Sequence, residues 1–244
     1  MSQGHKCKRI IYELLKNHYD KIVESEHNGD YLKAIETFNI ISEDKLRALL
    51  NNYYDKERSR DQAWKSCKGA LYEYAVFKYI MQIIIKNQLQ NKIDVLINID
   101  LNKYKNQIAI ENWDIIYPDV DILLIDKKTQ IINAIISCKT SLRERLTETA
   151  FWKRELEKTK KNQKFIVIFI TTDKDSELKS DKNRYILHHV IDITFVTDPK
   201  KYRDLVKSYI KNYGTKDDFH QFVSRVRPIK EFEEFLRNYA KTMN

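Results

Sequence analysis

Two apolar runs joined by a short polar turn constrain this sequence more than any other feature. The stretch PDVDILLIDKKTQIINAIISCK, residues 118–139, places ILLI and IINAII on either side of DKKTQ. Runs of β-branched and large apolar residues bounded by turn residues are typical of buried strands, so the stretch predicts a β-hairpin. The first run begins with acids and the second ends with a lysine. The hairpin would therefore bring opposite charges together at one end.

The charged end of this hairpin carries side chains suited to phosphodiester hydrolysis. Side chains alternate along a strand, so Asp119 and Asp121 are predicted to share one side of the sheet, as are Ser137 and Lys139. Carboxylates hold Mg²⁺, which polarises a phosphate and lowers the pKa of a bound water, and an ammonium group can orient that water. The alternative is a solvated turn after Pro118 and a lysine that ends its strand in solvent. The joint pattern favours the site.

Helical and strand-like periodicities surround this hairpin. Apolar residues recur at helical spacing in residues 8–47, 61–90 and roughly 141–161, and again after residue 199. Further strand-like runs are IDVLINID, KFIVIFITTD and IDITFVTD. The pattern predicts an α/β fold in which helices cover both faces of a sheet. The chain has only four glycines, which excludes a Gly-rich phosphate-binding loop.

The order of these elements predicts three parts. Residues 1–60 form a helical N-terminal segment, residues 61–200 form the core with the sheet, and residues 201–244 form a helical C-terminal extension. The 44 Lys and Arg against 35 Asp and Glu give a net charge of +9. This excess favours a nucleic acid partner, with a solvated lysine-rich surface as the alternative.

Cysteine content and hydropathy bear on the location of the protein. The three cysteines, Cys7, Cys67 and Cys138, lack metal-ligand spacing and suggest neither a disulfide framework nor a zinc site. They fit a reducing cytoplasm. No window approaches the roughly 18 continuous apolar residues of a membrane span, so the expectation is a soluble cytoplasmic protein with no membrane partner.

The hairpin also resembles a known active-site signature. Pro118-Asp119 followed by Ser137-Cys138-Lys139 resembles the motif of the PD-(D/E)XK nuclease superfamily, in the variant where serine replaces the acid before the lysine. The stretch KTSLRER, residues 139–145, resembles the K-x-x-x-R-(D/E)-R arrangement of type II restriction endonucleases that read CCGG cores, the BsaWI, AgeI and NgoMIV group. The resemblance covers residues 66–172.

This resemblance implies a restriction-endonuclease-like mixed sheet flanked by helices, Mg²⁺-dependent cleavage of double-stranded DNA, and a homodimer. In a prokaryotic restriction-modification system, a companion DNA methyltransferase acts on the same site. Asp119 would bind the metal and Lys139 would be the catalytic lysine. Arg143 and Arg145 would contact guanines, and Glu144 would contact cytosines. An arginine fork matches guanine O6 and N7, and a carboxylate accepts from cytosine N4, so this cluster can read C·G pairs.

Because Ser137 stands where the family often has an acid, another carboxylate must complete the metal site. Glu73, on an apolar helix where a carboxylate needs a compensating partner, ranks first. Glu148 and Glu155 on the following helix are the weaker candidates, and Asp121 is either an auxiliary ligand or a partner for Lys139. Rival functions are a structure-specific repair or recombination nuclease of the same fold and a non-catalytic DNA-binding protein.

Overall fold

The computed structural model describes residues 7–111, 113–142, 144–160 and 165–242, and only the backbone of residues 98 and 99. The α-helices, in chain order, are α1 Arg9–His27, α2 Tyr31–Glu36, α3 Phe38–Ile40, α4 Glu57–Lys86, α5 Arg145–Thr159, α6 Asp181–His189, α7 Pro199–Tyr213, α8 Phe219–Val223 and α9 Phe232–Lys241. The strands are β1 Ile93–Ile97, β2 Ile110–Glu111, β3 Ile115–Ile116, β4 Ile122–Asp126, β5 Ile132–Lys139, β6 Ile166–Thr171, β7 Ile193–Val196 and β8 Val226–Pro228. No helix in these ranges combines the length and apolar character needed to cross a membrane.

The central sheet is mixed and has the strand order β1-β4-β5-β6-β7-β8. β1, β4 and β5 are antiparallel neighbours, whereas β5 to β8 run parallel. Parallel neighbours need crossover connections, and α5, α6 and α7 lie in these connections. β2 and β3 form a separate two-stranded hairpin. The predicted hairpin over residues 118–139 is confirmed as β4 and β5, and so is the α/β fold with helices on both faces.

Different helices cover the two faces of the sheet. Along β4, Ile122 and Leu124 pack in the core formed with α1, α4 and α9, whereas Leu123 and Ile125 pack in the core formed with α5, α6 and α7. Alternate residues of a strand point to opposite faces, so apolar side chains pack against helices on both faces of the sheet at β4. Polar chemistry on this hairpin is therefore confined to the ends of its strands.

The long helix α4 supports the sheet and is tied to the N-terminus by a disulfide. The sequence predicts this helix over residues 61–90, and it runs from Glu57 to Lys86. Cys67 in α4 is bonded to Cys7, with 4.6 Å between the Cα atoms. The expectation that these cysteines form no disulfide is therefore wrong. Their sequence separation of 60 residues carries no pairing signal. Cys138 is a buried free thiol.

Both ends of the chain depart from the regular helices that the sequence predicts. After α2 and α3, the N-terminal part continues as a π-helical turn, Ile41–Leu46, and a 3₁₀ turn, Arg47–Asn52. Near the C-terminus, Val226–Pro228 form β8 at the edge of the sheet, where helix is expected. Pro228 lacks an N–H group and is tolerated at a sheet edge. Residues 201–244 are thus not a purely helical extension, because they supply a strand of the core.

Candidate active site

The charged residues of the central hairpin meet where β4 begins and β5 ends. The antiparallel register of the two strands places Asp121 beside Ser137, and Lys139 is the last residue of β5. β4 begins at Ile122, so both predicted aspartates precede the strand. The side-chain alternation expected of strand residues therefore does not govern Asp119 and Asp121, although both approach Lys139.

Asp121 is buried, and both of its carboxylate oxygens have partners. Lys139 Nζ lies 3.0 Å from Oδ1 and 2.9 Å from Oδ2. The backbone N–H of Cys138 donates to Oδ2 at 2.6 Å, and the Ser137 hydroxyl lies 3.5 Å from the same atom. Burying an isolated carboxylate would be costly, and these donors offset that cost. Of the two aspartates, Asp121 makes the closer contact with Lys139.

Asp119 lies at the solvent-exposed mouth of the site. Its side chain is 54% exposed, and its Oδ2 atom is 3.8 Å from Lys139 Nζ and 3.9 Å from Arg145 Nη1. The pair with Arg145, whose side chain is also 54% exposed, contributes only about 0–1 kcal/mol to stability. Asp119 can therefore exchange Arg145 for a ligand at little cost.

Glu73 approaches Asp121 from α4. Burial raises the pKa of Glu73 well above its ordinary value, and the negative charges of Asp121 and Asp119 raise it further, against the opposing effect of Lys139. A hydrogen bond between the carboxyl groups of Glu73 and Asp121 acts in the same direction. Two neighbouring carboxyl groups cannot both ionise without strong repulsion. A bound cation would relieve that repulsion in place of a proton.

Lys139 stays charged despite its burial. Burial lowers the pKa of its ammonium group, but the carboxylates of Asp121, Asp119 and Glu73, together with the hydrogen bond to Asp121, outweigh burial and raise the pKa above the ordinary value. The ammonium group therefore keeps its positive charge and its three N–H donors at neutral pH, with Asp121 as its nearest acceptor.

The other acids proposed to complete the metal site lie along α5. Glu148 Oε2 is 3.6 Å from Arg145 Nη1. Glu155 is seven residues further on, about two helical turns or 10 Å away. Neither acid is among the causes of the pKa shifts of Glu73 and Lys139. Glu73 is therefore the candidate that the structure brings to Asp121.

The carboxylates fit a Mg²⁺ ion that keeps an open coordination shell. Across the described ranges, no three Asp, Glu, His or Cys side chains are grouped so as to enclose one ion. Mg²⁺ in such sites is usually held by one or two carboxylates, and water and phosphate oxygens fill its other positions. Glu73 and Asp121, with Asp119 at the mouth, offer hard oxygen ligands of that kind. Two carboxylates, those of Glu73 and Asp121, can thus be sufficient protein ligands for such an ion.

Two of the three predicted base-reading residues, Glu144 and Arg145, lie beside this site. Arg145 is the first residue of α5, and its side chain is 54% exposed. Its guanidinium lies between Asp119 and Glu148. Glu144 precedes the helix and is exposed, whereas Arg143 lies outside the described residues. An exposed arginine and an exposed carboxylate are therefore placed next to the mouth of the candidate active site.

Thr149, which no sequence pattern marks as functional, connects the active site with the base-reading residues. Its hydroxyl donates to the carbonyl oxygen of Arg145 at 3.0 Å and lies 3.2 Å from the Ser137 hydroxyl. The spacing of four residues between Arg145 and Thr149 is one helical turn and is visible in the sequence. The contact with Ser137 is tertiary and leaves no local signal. Ser137 thus joins α5 to the carboxylate of Asp121.

Comparisons with known proteins point to one class of enzyme. The family model "BsaWI restriction endonuclease type 2" matches residues 100–222. A Methanocaldococcus jannaschii protein, "Putative type II restriction enzyme MjaVIP", is 27% identical over 194 residues, which cover 72% of this chain and 81% of that protein. A Helicobacter pylori protein, "Probable type II restriction enzyme HpyAORF263P", is 27% identical over 146 residues, which cover 54% of this chain and 76% of that protein. The restriction endonuclease PspGI in complex with substrate DNA has the same fold, with a TM-score of 0.63, 16% identity and 93% of both chains covered.

Proposed function

The chain belongs to the BsaWI family of type 2 restriction endonucleases, and we propose that it uses Mg²⁺ to cleave double-stranded DNA at a palindrome with a CCGG-like core. It is a site-specific deoxyribonuclease, in keeping with the names of its relatives. One observation carries the finer proposal. Lys139 lies against Asp121 and near Asp119 at a site that also receives Glu73, and Arg145 stands at its mouth.

The proposed chemistry is that of the PD-(D/E)XK nucleases. Glu73 and Asp121, with Asp119 at the mouth, would hold Mg²⁺, which would supply Lewis acidity at the scissile phosphate and lower the pKa of a bound water. Lys139, kept as an ammonium by its neighbours, donates hydrogen bonds to the phosphate or to the attacking water. Asp121 orients that ammonium group. Glu73 takes the role of the acid that Ser137 replaces.

Residues 143–145, which follow β5 and end at the first residue of α5, would read the bases. Arg145 presents a guanidinium fork that matches the O6 and N7 acceptors of guanine, and Glu144 can accept from cytosine N4. Arg143, two residues earlier in the sequence, would supply a second fork. A homodimer would repeat this set around a two-fold axis, which makes the preferred site a palindrome.

The biological setting is part of the proposal. The PspGI structure is a complex with substrate DNA, and a duplex is likewise the partner proposed for this chain. A companion DNA methyltransferase would protect the same site in a prokaryotic cytoplasm.

Digestion of a plasmid library with the purified protein and Mg²⁺, followed by run-off sequencing of the new ends, tests the proposal. We expect discrete fragments whose ends share a CCGG-like centre, and no cleavage when Ca²⁺ replaces Mg²⁺. Ends that share a different centre would overturn the core assignment alone. Cleavage only at flaps, junctions or termini would instead indicate the structure-specific nuclease.

A further inference from the structure

The loop that follows β6, residues 172–177, is bonded to the segment that leads into the base-reading residues. The hydroxyl of Thr172 donates to the carbonyl of Thr140 at 2.9 Å, and the backbone N–H of Lys174 points to the same carbonyl at 3.4 Å. β5 and β6 are parallel and paired up to Lys139 and Thr171. The loop therefore continues the contact between β5 and β6 beyond their C-terminal ends, where the active site lies.

Glu177 makes the bond closest to the reading residues. Its Oε2 atom accepts the backbone N–H of Leu142 at 3.1 Å. The carbonyl of Leu142 accepts the backbone N–H of Arg145 at 2.6 Å, and the Leu142 side chain is buried. The donor, the acceptor and the side chain of Leu142 are thus all engaged. Leu142 is therefore a fixed point of the backbone, and it directly holds the N–H of Arg145.

Glu177 is itself held firmly by α6 and α7. Its carbonyl accepts from Asn183 Nδ2 at 2.8 Å, and the carbonyl of Leu178 accepts from the Tyr209 hydroxyl at 2.6 Å. Lys201 Nζ donates to the Ser176 hydroxyl at 2.7 Å. The backbone that carries the Glu177 side chain is therefore fixed by two helices, and the carboxylate links this fixed backbone to Leu142.

The chemical type of this contact matters. A carboxylate that accepts a backbone N–H forms a charge-assisted hydrogen bond, roughly twice as strong as a neutral one. The direct reading of a base by an arginine fork depends on orientation as well as on charge. A small rotation of the peptide at Leu142 would swing the following side chains away from the base edges.

We propose that Glu177 is a positioning residue for base discrimination: it holds the backbone of Leu142, and through it Arg145, in the orientation that reads the DNA site. This inference rests on the proposed function in one respect, namely that residues 143–145 read bases. It does not depend on which bases they read. Glu177 acts through the backbone of Leu142 and need not touch DNA.

The test compares three variants of the full-length chain: Glu177→Ala, Glu177→Gln and Asp181→Ala. Asp181 is the matched control, since it is a nearby acid that accepts from the Tyr213 hydroxyl and pairs with Arg184, away from the reading segment. The site preferred by the wild-type enzyme is first determined by run-off sequencing, whatever it proves to be. For each variant, kcat and KM are then measured on that site and on sites with one base pair changed, together with the melting temperature.

We expect Glu177→Ala to lower the ratio of kcat/KM between the preferred and altered sites roughly tenfold or more, the scale of one lost base contact. Glu177→Gln should recover part of that ratio because its amide oxygen still accepts the Leu142 N–H. Asp181→Ala should leave the ratio unchanged. Unchanged discrimination in Glu177→Ala, or an equal loss in Asp181→Ala, would overturn the inference. A wild-type site without a CCGG-like core would count only against the proposed core.

Discussion

Lys139 and Asp121 are joined side chain to side chain, with the lysine Nζ 3.0 Å from one carboxylate oxygen and 2.9 Å from the other. The N–H of Cys138, the residue before Lys139, donates to the same carboxylate at 2.6 Å. One carboxylate therefore holds both the side chain of the lysine and the end of its strand. The position of the ammonium group is fixed before any substrate arrives, which is the preorganisation that electrostatic catalysis requires.

Lys139→Ala should reduce cleavage about 10²- to 10³-fold, the usual effect of removing one positioned donor from an active site. Binding of the same DNA in Ca²⁺ should be largely preserved, because the reading residues lie on the following segment. Lys127→Ala is the matched control. Lys127 lies at the opposite end of the hairpin and pairs with Asp94 at 3.5 Å. Single-turnover cleavage and a gel-shift titration measure the two effects, and full activity in Lys139→Ala would refute the assignment.

Asp121→Asn should impair cleavage more than Asp119→Asn does. The buried Asp121 contacts Lys139 and shares a hydrogen bond with Glu73, whereas Asp119 is exposed and reaches Lys139 only at 3.8 Å. Even the loss of an outer-shell partner typically costs 10- to 100-fold in metal-dependent activity, so a direct ligand should cost about a hundredfold or more. Cleavage rates measured across a Mg²⁺ titration give the ranking. A larger loss of cleavage in Asp119→Asn than in Asp121→Asn would identify Asp119 as the principal metal ligand.

The hairpin and the long helix could be predicted from the sequence because each rests on local periodicity. The ranking of Asp119 and Asp121 could not be predicted, since it depends on β4 beginning at Ile122 rather than at Asp119. A shift of a few residues at a strand boundary changes which acid is buried. Strand β8 could not be predicted either, because three residues that end in a proline carry no strand pattern of their own.

Tertiary contacts account for the rest of what the sequence could not reveal. Glu73 stood out because a carboxylate on an apolar helix needs a partner, and the structure brings it to Asp121. Thr149 and Glu177 gave no such signal, since polar residues on an exposed helix or loop are unremarkable until their partners are known. The Cys7–Cys67 bond joins residues 60 positions apart, and only the packing of α1 against α4 brings them together.

Glu73→Gln should abolish most of the cleavage and leave the fold intact. The amide can keep a hydrogen bond to Asp121, and it removes a carboxyl group whose ionisation is opposed by burial and by two neighbouring acids. We therefore expect a melting temperature no lower than that of the wild type and a loss of activity of at least about a hundredfold. Glu57→Gln, an exposed acid in the first turn of the same helix, is the control. Activity retained in Glu73→Gln would assign the additional carboxylate to Glu148 or Glu155.

Arg145→Ala should lower discrimination at one C·G position by about 1–3 kcal/mol. The guanidinium stands exposed beside Asp119, so its loss removes a base contact without opening the core. Arg154→Ala on the same helix is the matched control, because Arg154 pairs with Glu157 at 3.1 Å instead. Competitive binding to sites altered at each position measures the effect. Equal weakening on every sequence would identify Arg145 as a phosphate contact.

Asp173→Asn should stabilise the folded protein at neutral pH and remove part of its pH dependence. Burial raises the pKa of Asp173 from 3.8 to about 6, although the N–H groups of Leu178 and Glu177 act in the opposite direction. Its Oδ2 atom is buried and has no hydrogen-bond partner among the described residues. Asparagine is also suited to this position, because the backbone φ of 47° lies in the left-handed region that it tolerates.

The direction of the pH effect follows from this raised pKa. Between pH 4 and 6, roughly, the folded protein retains a proton that the unfolded chain has released, so the free energy of unfolding falls as the pH rises through this window. A difference of this size in pKa corresponds to at most about 3 kcal/mol. Urea unfolding at pH 5 and pH 7.5 should show that Asp173→Asn gains most over the wild type at the higher pH. Asp175→Asn changes an exposed acid in the same loop and should follow the wild-type pH profile. If Asp173→Asn instead raised the free energy of unfolding by the same amount at both pH values, Asp173 would be excluded as the titrating group.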